Sequence, residues 1–339
     1  MNRFAYLRPT DIAEAVRAIA ADPSARFIAG GTNLLDLMKY EVERPTRLID
    51  ITRLPGLDAV EETASGGLRI GALVPNADLA HDPRIAARYP LLASAILAGA
   101  SPQLRNAAST GGNLLQRTRC YYFYDVGTPC NKRAPGAGCP AIDGVNRIHA
   151  ILGTSTHCIA THPSDMCVAL AALEAKVHVA GPNGERTIAI GDFHRLPEDR
   201  PDIDTTLAHD EIIVAVELPA EGFAGHCTYL KLRDRLSYAF ALVSVAVGLA
   251  MDGDAIGRAR IALGGVAHKP WRVPEAEALL QGRPPTEESY AAAADRLLAG
   301  ARAYRDNGFK IELARRAITR GLAQAASGTP QSQTDKRIR

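Results

Sequence analysis

From Gln116 to about Cys158 the chain runs through some forty residues with no helical or strand period, between flanks that are plainly periodic. An unstructured run of that length inside a compact domain is uncommon and usually functional. Its middle, "GTPCNKRAPGAGCPA" (127–141), sets Cys130 and Cys139 among glycine, proline and polar residues. Such a segment cannot bury a core of its own. Any fold that contains it must tie it down from outside or through the cysteines.

The cysteines themselves are clustered. Six stand at 120, 130, 139, 158, 167 and 227, and the first four fall within 39 residues. A chain of 339 residues can build a core without disulfide staples, and Met1–Thr10 lacks the apolar core of a secretory signal, so disulfides are disfavoured. Zinc sites usually show paired short spacings such as C-x2-C, whereas the gaps here are nine, eight and eighteen residues. An iron–sulfur cluster needs thiolates but no short repeat. Spacing alone leaves a cluster, zinc and unpaired structural thiols all open.

Composition narrows the class of partner. The 39 basic and 37 acidic side chains leave a net charge of +2 with no long run of one sign, so neither nucleic acid nor a membrane surface is implied. A hydrophobic content of 47% excludes disorder for the chain as a whole, and no apolar run approaches the roughly 20 residues of a spanning helix. The length reads as two or three α/β lobes.

Along the chain, Asp11 and Glu14 resemble a capping box for a helix whose apolar face is Ile12, Ala15, Val16 and Ile19. A strand at Phe27–Ala29, a turn at Gly30–Gly31, a helix starting near Asn33 and a strand in 46–52 form a small α/β unit. A strand in 67–73 and an alanine-rich helix in 89–101 follow. After the irregular segment, Ser164 caps a helix, 176–190 is a hairpin turning at Asn183–Gly184, and 211–219 is a buried strand. "PAEGFAGH" marks a boundary near 221. Beyond it come antiparallel strands around an Asp252–Gly253 turn, helices within 286–300 and 308–325, and a polar tail at 327–339 expected to be disordered or to reach a partner.

Two short motifs stand 80 residues apart: Gly30–Gly31–Thr32–Asn33 and Thr110–Gly111–Gly112–Asn113. Glycine brings backbone N–H groups close to a ligand, and the following Thr or Asn adds a side-chain donor. Either pair alone is explained as well by a tight turn. Two converging would suit a pyrophosphate. Neither matches G-x-G-x-x-G after a first strand, which removes support for a nicotinamide-binding fold. Asp165 sits at a helix start, where its charge complements the dipole or accepts hydrogen bonds from a ribose or adenine. Lys231 lies on a strand, where an exposed lysine is common. The histidines, including His157 and His162, read as surface or satisfied core positions.

With these residues assembled, the chain resembles the flavoprotein subunits of the molybdenum hydroxylases, the xanthine dehydrogenase and aldehyde oxidoreductase family. The marks are "AGGTNLL" (29–35), "RNAASTGGNLL" (105–115), "PSDM" (163–166) and "LKLRDRLSYAFALVSVAVG" (230–248), and the resemblance covers nearly the whole chain. It implies an α/β and α+β fold: a two-lobed FAD-binding domain of the PCMH type at 1–221, carrying the 116–158 insertion, then a small domain of antiparallel sheet and helices at 222–326. It also implies FAD contacts from Phe27, Ile28, Ala29, Gly30, Gly31, Thr32, Asn33, Leu34 and Leu35, and from Ser109, Thr110, Gly111, Gly112 and Asn113. Asp165 would meet the adenosine half and Lys231 would lie near the flavin ring. The second motif commonly reads "ATIGGN", and Ser109–Thr110 replaces its Thr–Ile.

The cysteine-bearing insertion looks like that of bacterial three-subunit aldehyde oxidoreductases, whose flavin subunit holds an extra [4Fe–4S] cluster. By that match Cys120, Cys130, Cys139 and Cys158 are its ligands. The resemblance implies an electron-transfer subunit with no catalytic acid or base of its own. Its partners would be a large subunit with the molybdenum cofactor and a small one with [2Fe–2S] centres, in a heterotrimer. The flavin subunit of a related hydroxylase or reductase acting on xanthine or an aromatic CoA thioester, a zinc-stabilised interaction module and a self-contained flavin oxidase are the rival readings. Export to the periplasm on a signal-bearing partner is expected, with the cytoplasm as the alternative.

Overall fold

The computed structural model describes residues 1–328. Apart from Ser327 and Gly328, the expected tail at 327–339 lies outside the described residues.

Three sheets follow one another along the chain. The first is parallel: β1 (Ala5–Leu7) and β2 (Ala25–Ile28) flank β3 (Arg47–Asp50). Helix Ile12–Ala20 crosses between β1 and β2, burying Ala15, Val16 and Ile19 as the period requires. The Asp11 side chain accepts the Glu14 N–H, while the Glu14 carboxylate turns back to the Thr10 N–H. Strand β2 begins two residues before the apolar run Phe27–Ala29, because pairing with β3 starts at Ala25 opposite Arg47.

The second sheet holds β4 (Val60–Glu62), β5 (Leu68–Gly71), the hairpin of β6 (Lys176–Gly181) and β7 (Gly184–Ala189), and β8 (Ile212–Leu218), in the order β4-β5-β8-β6-β7. Residues over a hundred positions apart therefore pair, as Leu68 does with Leu218. Everything from 72 to 175, the irregular segment included, leaves this sheet and returns to it. The third sheet is an antiparallel meander of β9 (Cys227–Leu232), β10 (Val243–Asp252), β11 (Ala255–Gly264) and the short β12 (Trp271–Arg272).

The core sits between these sheets. Helices Pro90–Ala98 and Asp165–Ala172 are apolar around most of their circumference, so each must be covered on more than one side. They fill the space between Leu68, Ile70, Val177 and Val216 on the second sheet and Tyr229, Ala246 and Ala262 on the third. Helices Glu287–Leu297 and Phe309–Ala326 cover the other face of the third sheet through Leu297, Ile318 and Leu322. Burying one such Leu or Ile contributes about 1.5–3 kcal/mol. The irregular segment contains one short helix, Tyr121–Tyr124, and has a separate small core in which Phe123, Ala141 and Ile159 meet Leu37. Among the described residues no helix is long and apolar enough to cross a membrane.

Candidate functional site

A cleft of about 1110 Å³ opens where the first, second and third sheets meet. That is at the upper end for small-molecule sites and suits an extended dinucleotide. Both glycine turns line it. The first packs on the chain that leads into the second, because Gly30 lies so close to the Ala107 carbonyl that a Cβ there would come 1.7 Å from its oxygen.

The first turn links β2 to helix Leu34–Lys39. Gly31 takes φ +73°, and the N–H groups of Gly31, Thr32 and Asn33 have no protein acceptor among the described residues. Asn33 accepts the Arg117 N–H through Oδ1 at 3.0 Å, and its buried Nδ2 has no partner. This turn offers a row of free donors to an anion in the cleft. Leu35 is the exception in this segment: its side chain packs beneath Gly31, away from the cleft.

The second glycine turn is built differently, since its residues open the short helix Thr110–Leu114, capped by Ser109. The N–H and hydroxyl of Thr110 both donate to the Val74 carbonyl, at 3.0 and 2.9 Å. The Gly111 N–H goes to Ala72, and the Gly112 N–H to Ser109 Oγ. Thr110 is 1% exposed and does not line the cleft, whereas Ser109, Gly111, Gly112 and Asn113 do. Asn113 Oδ1 accepts from Ser164 at 2.5 Å and from Gln116 at 2.9 Å.

Asp165 and Lys231 line the far part of the cleft as a buried ion pair of 2.8 Å, their side chains only 8% and 3% exposed. Tyr229 donates to the other carboxylate oxygen at 2.7 Å, and Lys231 also reaches the Ala98 carbonyl at 3.0 Å. Lys231 is therefore no exposed strand lysine. Removing either partner leaves a buried charge, a loss of about 3–5 kcal/mol. An ionised carboxylate has about four acceptor positions, so Asp165 can hold Lys231 and still accept from a ligand.

His162 and His194 form the cleft's dry wall, their rings 4.2 Å apart. Burial pushes His194 down to about 4 and His162 well below its ordinary value. The His194 Nε2 bonds the Leu114 carbonyl at 2.8 Å, while His194 Nδ1 and His162 Nε2 have no partner. The half-buried His162 thus has a buried ring nitrogen left unsatisfied, contrary to the sequence expectation. Cys167 lies beside them, and burial raises its thiol to about 12.

The four clustered cysteines come together. Cys120, Cys130, Cys139 and Cys158 line one small apolar cavity with Phe123, Lys132 and His149. None forms a disulfide. The Ala160 N–H donates to Cys158 Sγ at 3.4 Å, and the backbone N–H groups of Tyr122 and Phe123 near Cys120, and of Ile159 and Ala141 near Cys139, favour the thiolate form. The His149 Nε2 lies 3.1 Å from Cys120 Sγ. Burial raises the Cys120 thiol to about 12, so a thiolate there requires a cation beside it, which a bound metal supplies. Four sulfurs, dry walls and N–H donors aimed at sulfur fit a thiolate-held iron–sulfur group.

Sequence reasoning missed what joins this cavity to the cleft. Lys132 is buried and ion-pairs with Asp204, while also meeting His268 Nε2 at 2.6 Å and the Pro201 carbonyl at 2.7 Å. Burial opposes the charge on Asp204, yet Lys132 and Arg117 together hold its carboxyl below the usual carboxylate range. Arg117 lies 2.5 Å from Asp204, and its N–H is the one that Asn33 accepts. Nothing in the sequence pairs Lys132 with a histidine 136 residues away.

Comparison with known proteins bears on the whole chain. Residues 2–221 match the family model described as the FAD binding domain in molybdopterin dehydrogenase, and 228–325 match the CO dehydrogenase flavoprotein C-terminal domain. The aldehyde oxidoreductase FAD-binding subunit PaoB of Escherichia coli is 52% identical over 96% of this chain and 99% of its own length. The carbon monoxide dehydrogenase medium chain of Hydrogenophaga pseudoflava is 30% identical over 88% of this chain and 86% of that protein. The solved carbon monoxide dehydrogenase of that organism superposes with a TM-score of 0.76, covering 97% of this chain and 99% of the matched one. Quinoline 2-oxidoreductase from Pseudomonas putida 86 gives 0.74 at 27% identity, covering 96% of this chain and 98% of the matched one.

Proposed function

The chain belongs to the FAD-binding subunits of the molybdenum hydroxylases, and from that premise we propose that it is the electron-transfer flavoprotein of an aldehyde oxidoreductase, with an iron–sulfur site beside its FAD. The aldehyde assignment follows the PaoB likeness, at 52% identity over nearly the full length of both chains. Large and small partner subunits would carry the molybdenum cofactor and the [2Fe–2S] centres.

When bound, the flavin exchanges electrons singly or in pairs, which suits a junction between one-electron centres and an external acceptor. The protein's own residues bind and orient. The free N–H groups of Gly31, Thr32 and Asn33 would hold the pyrophosphate, and the second turn would set the cleft's opposite edge through Ser109 and Asn113. Asp165 fixes the Lys231 ammonium, which places one positive charge in the cleft wall. The His162–His194 wall keeps water out. No acid or base for aldehyde oxidation is assigned to this chain.

The convergence of four thiols on one cavity, Cys120 and Cys158 buried and Cys130 and Cys139 half-buried, is the observation that supports iron in addition to FAD. Cys120, Cys130, Cys139 and Cys158 would hold a [4Fe–4S] cluster, whose chemistry is one-electron transfer. The test is to purify the complex with its partners, then assay FAD, iron and acid-labile sulfide in this subunit and follow bleaching of its spectrum by aldehyde. About one FAD and four irons per chain, bleached by aldehyde, is the expected result. FAD with zinc and no iron would overturn the cluster reading, and bleaching by other substrates only would overturn the aldehyde.

A further inference from the structure

His149 is 1% exposed and lines the cysteine cavity. Its Nε2 lies 3.1 Å from Cys120 Sγ, and its Nδ1 has no hydrogen-bond partner. A neutral imidazole carries one ring N–H, and the only partner it finds here is the sulfur. The residue is clamped in place. Its carbonyl receives Lys310 Nζ at 2.8 Å and Asn307 Nδ2 at 3.3 Å, and its N–H is bound by the Asn146 carbonyl at 3.0 Å. The Tyr121 ring stands edge-on to it. Among the described residues His149 is the one side chain other than a cysteine that bonds a sulfur of this cavity.

We infer that His149 is a positioning residue that donates its Nε2–H to the Cys120 thiolate and thereby raises the potential at which the four-cysteine site accepts an electron. This rests on the iron–sulfur reading above. One electron arrives from a reduced flavin or a reduced partner centre, which is oxidised by one electron. No bond forms or breaks, and the imidazole keeps its proton. The added charge is shared by the thiolate sulfurs, so an N–H aimed at one of them stabilises the reduced state more than the oxidised one. Lys310 and Asn307 hold the donor in place whichever state the site is in.

The experiment uses the complete complex with wild-type, His149→Phe and His149→Gln chains. It measures iron and FAD per chain and follows a redox titration by electron paramagnetic resonance. His149→Phe fills the space without a donor, whereas the Gln amide nitrogen stands about where Nε2 does. His149→Phe is expected to keep its iron and shift electron partition about fivefold against the site, ~40 mV lower at 59 mV per tenfold for one electron. His149→Gln should stay within about twofold of wild type, ~20 mV on the same scale. Loss of iron from the Phe variant with retention in the Gln variant also supports a donor. An iron-loaded Phe variant with unchanged potential overturns the inference, as does loss of iron from both variants, which would make His149 a ligand or a strut. Absence of iron from the wild type overturns the four-cysteine reading itself, before any variant is compared.

Discussion

The two glycine turns carry nearly the same letters and do opposite things with them. At Gly31–Asn33 the backbone donors and Asn33 Nδ2 are left unpaired beside the cleft. At Thr110–Asn113 the equivalent donors are absorbed by Ala72, Val74 and Ser109. The difference lies in the neighbours. The second turn runs against the chain leaving β5, whose carbonyls need donors, while the first springs from the end of a parallel strand with only the cleft in front of it. Under the proposed function, a motif that reads as two phosphate cradles would serve as one cradle and one strut.

The largest expected effect tests where the first turn meets the chain leading into the second. In Gly30→Ala the new Cβ would meet the Ala107 carbonyl at 1.7 Å, an overlap with backbone that no rotamer relieves. The turns must separate, so we expect loss of bound FAD and of about 3–5 kcal/mol of stability, read from flavin content and denaturant melts. A variant that binds FAD normally would show that this contact is dispensable.

Acid should separate them next. The first turn is braced by Arg117 on Asp204, whose pKa is depressed. Such a carboxylate contributes stability that is present above its unfolded value near 3.9 and is lost only as pH falls through the still lower folded value. The second turn's helix is braced by His194, which burial holds down to about 4. Between pH 6.5 and 4 the unfolded chain binds a proton there that the fold refuses, so stability falls as pH falls across that window. At ~1.4 kcal/mol per pH unit the His194 share is about 3 kcal/mol. Replacing His194 by Gln, which keeps a donor for Leu114 and does not titrate, should flatten the slope of urea-melt stability against pH between 6.5 and 4. An unchanged slope would assign the acid sensitivity to other buried histidines.

How much of this was legible follows from the range of the interactions. Periodicity located the helix with Ala15, Val16 and Ile19 inward, the 176–189 hairpin and the β9–β11 meander, because those patterns are local. It placed the second strand late, since Ala25 and Arg26 carry no apolar signal of their own. Site residues were legible as letters but not as partners. Lys231 reads as an exposed lysine until Asp165, 66 residues earlier, is brought to it. Thr110 reads as a ligand contact until Val74 takes its hydroxyl. His149 and Lys132 gave no signal, because what singles them out is Cys120 and Asp204 across the fold.

A smaller substitution probes the open turn. Asn33→Asp keeps the oxygen that accepts the Arg117 N–H but replaces the free Nδ2 donor with a second anionic oxygen facing the pyrophosphate site. Stability should change little, while FAD affinity falls about 10- to 100-fold, equivalent to ~1.4–2.7 kcal/mol. Fluorescence titration of the flavin-stripped complex reads it. Unchanged affinity would mean that Asn33 does not meet the cofactor.

The smallest effect belongs to the strut, and it has the opposite signature. Thr110→Val preserves the β-branched shape and removes one buried hydroxyl donor from the Val74 carbonyl, which still accepts the Thr110 N–H at 3.0 Å. One neutral hydrogen bond is lost and no acceptor is stranded, so the cost is about 1 kcal/mol of folding stability. FAD affinity should stay within about twofold, or ~0.4 kcal/mol. If the Val variant instead loosens FAD tenfold at unchanged stability, the hydroxyl has turned from Val74 toward the cofactor in the bound state. The two turns would then be the symmetric pair that their letters resemble.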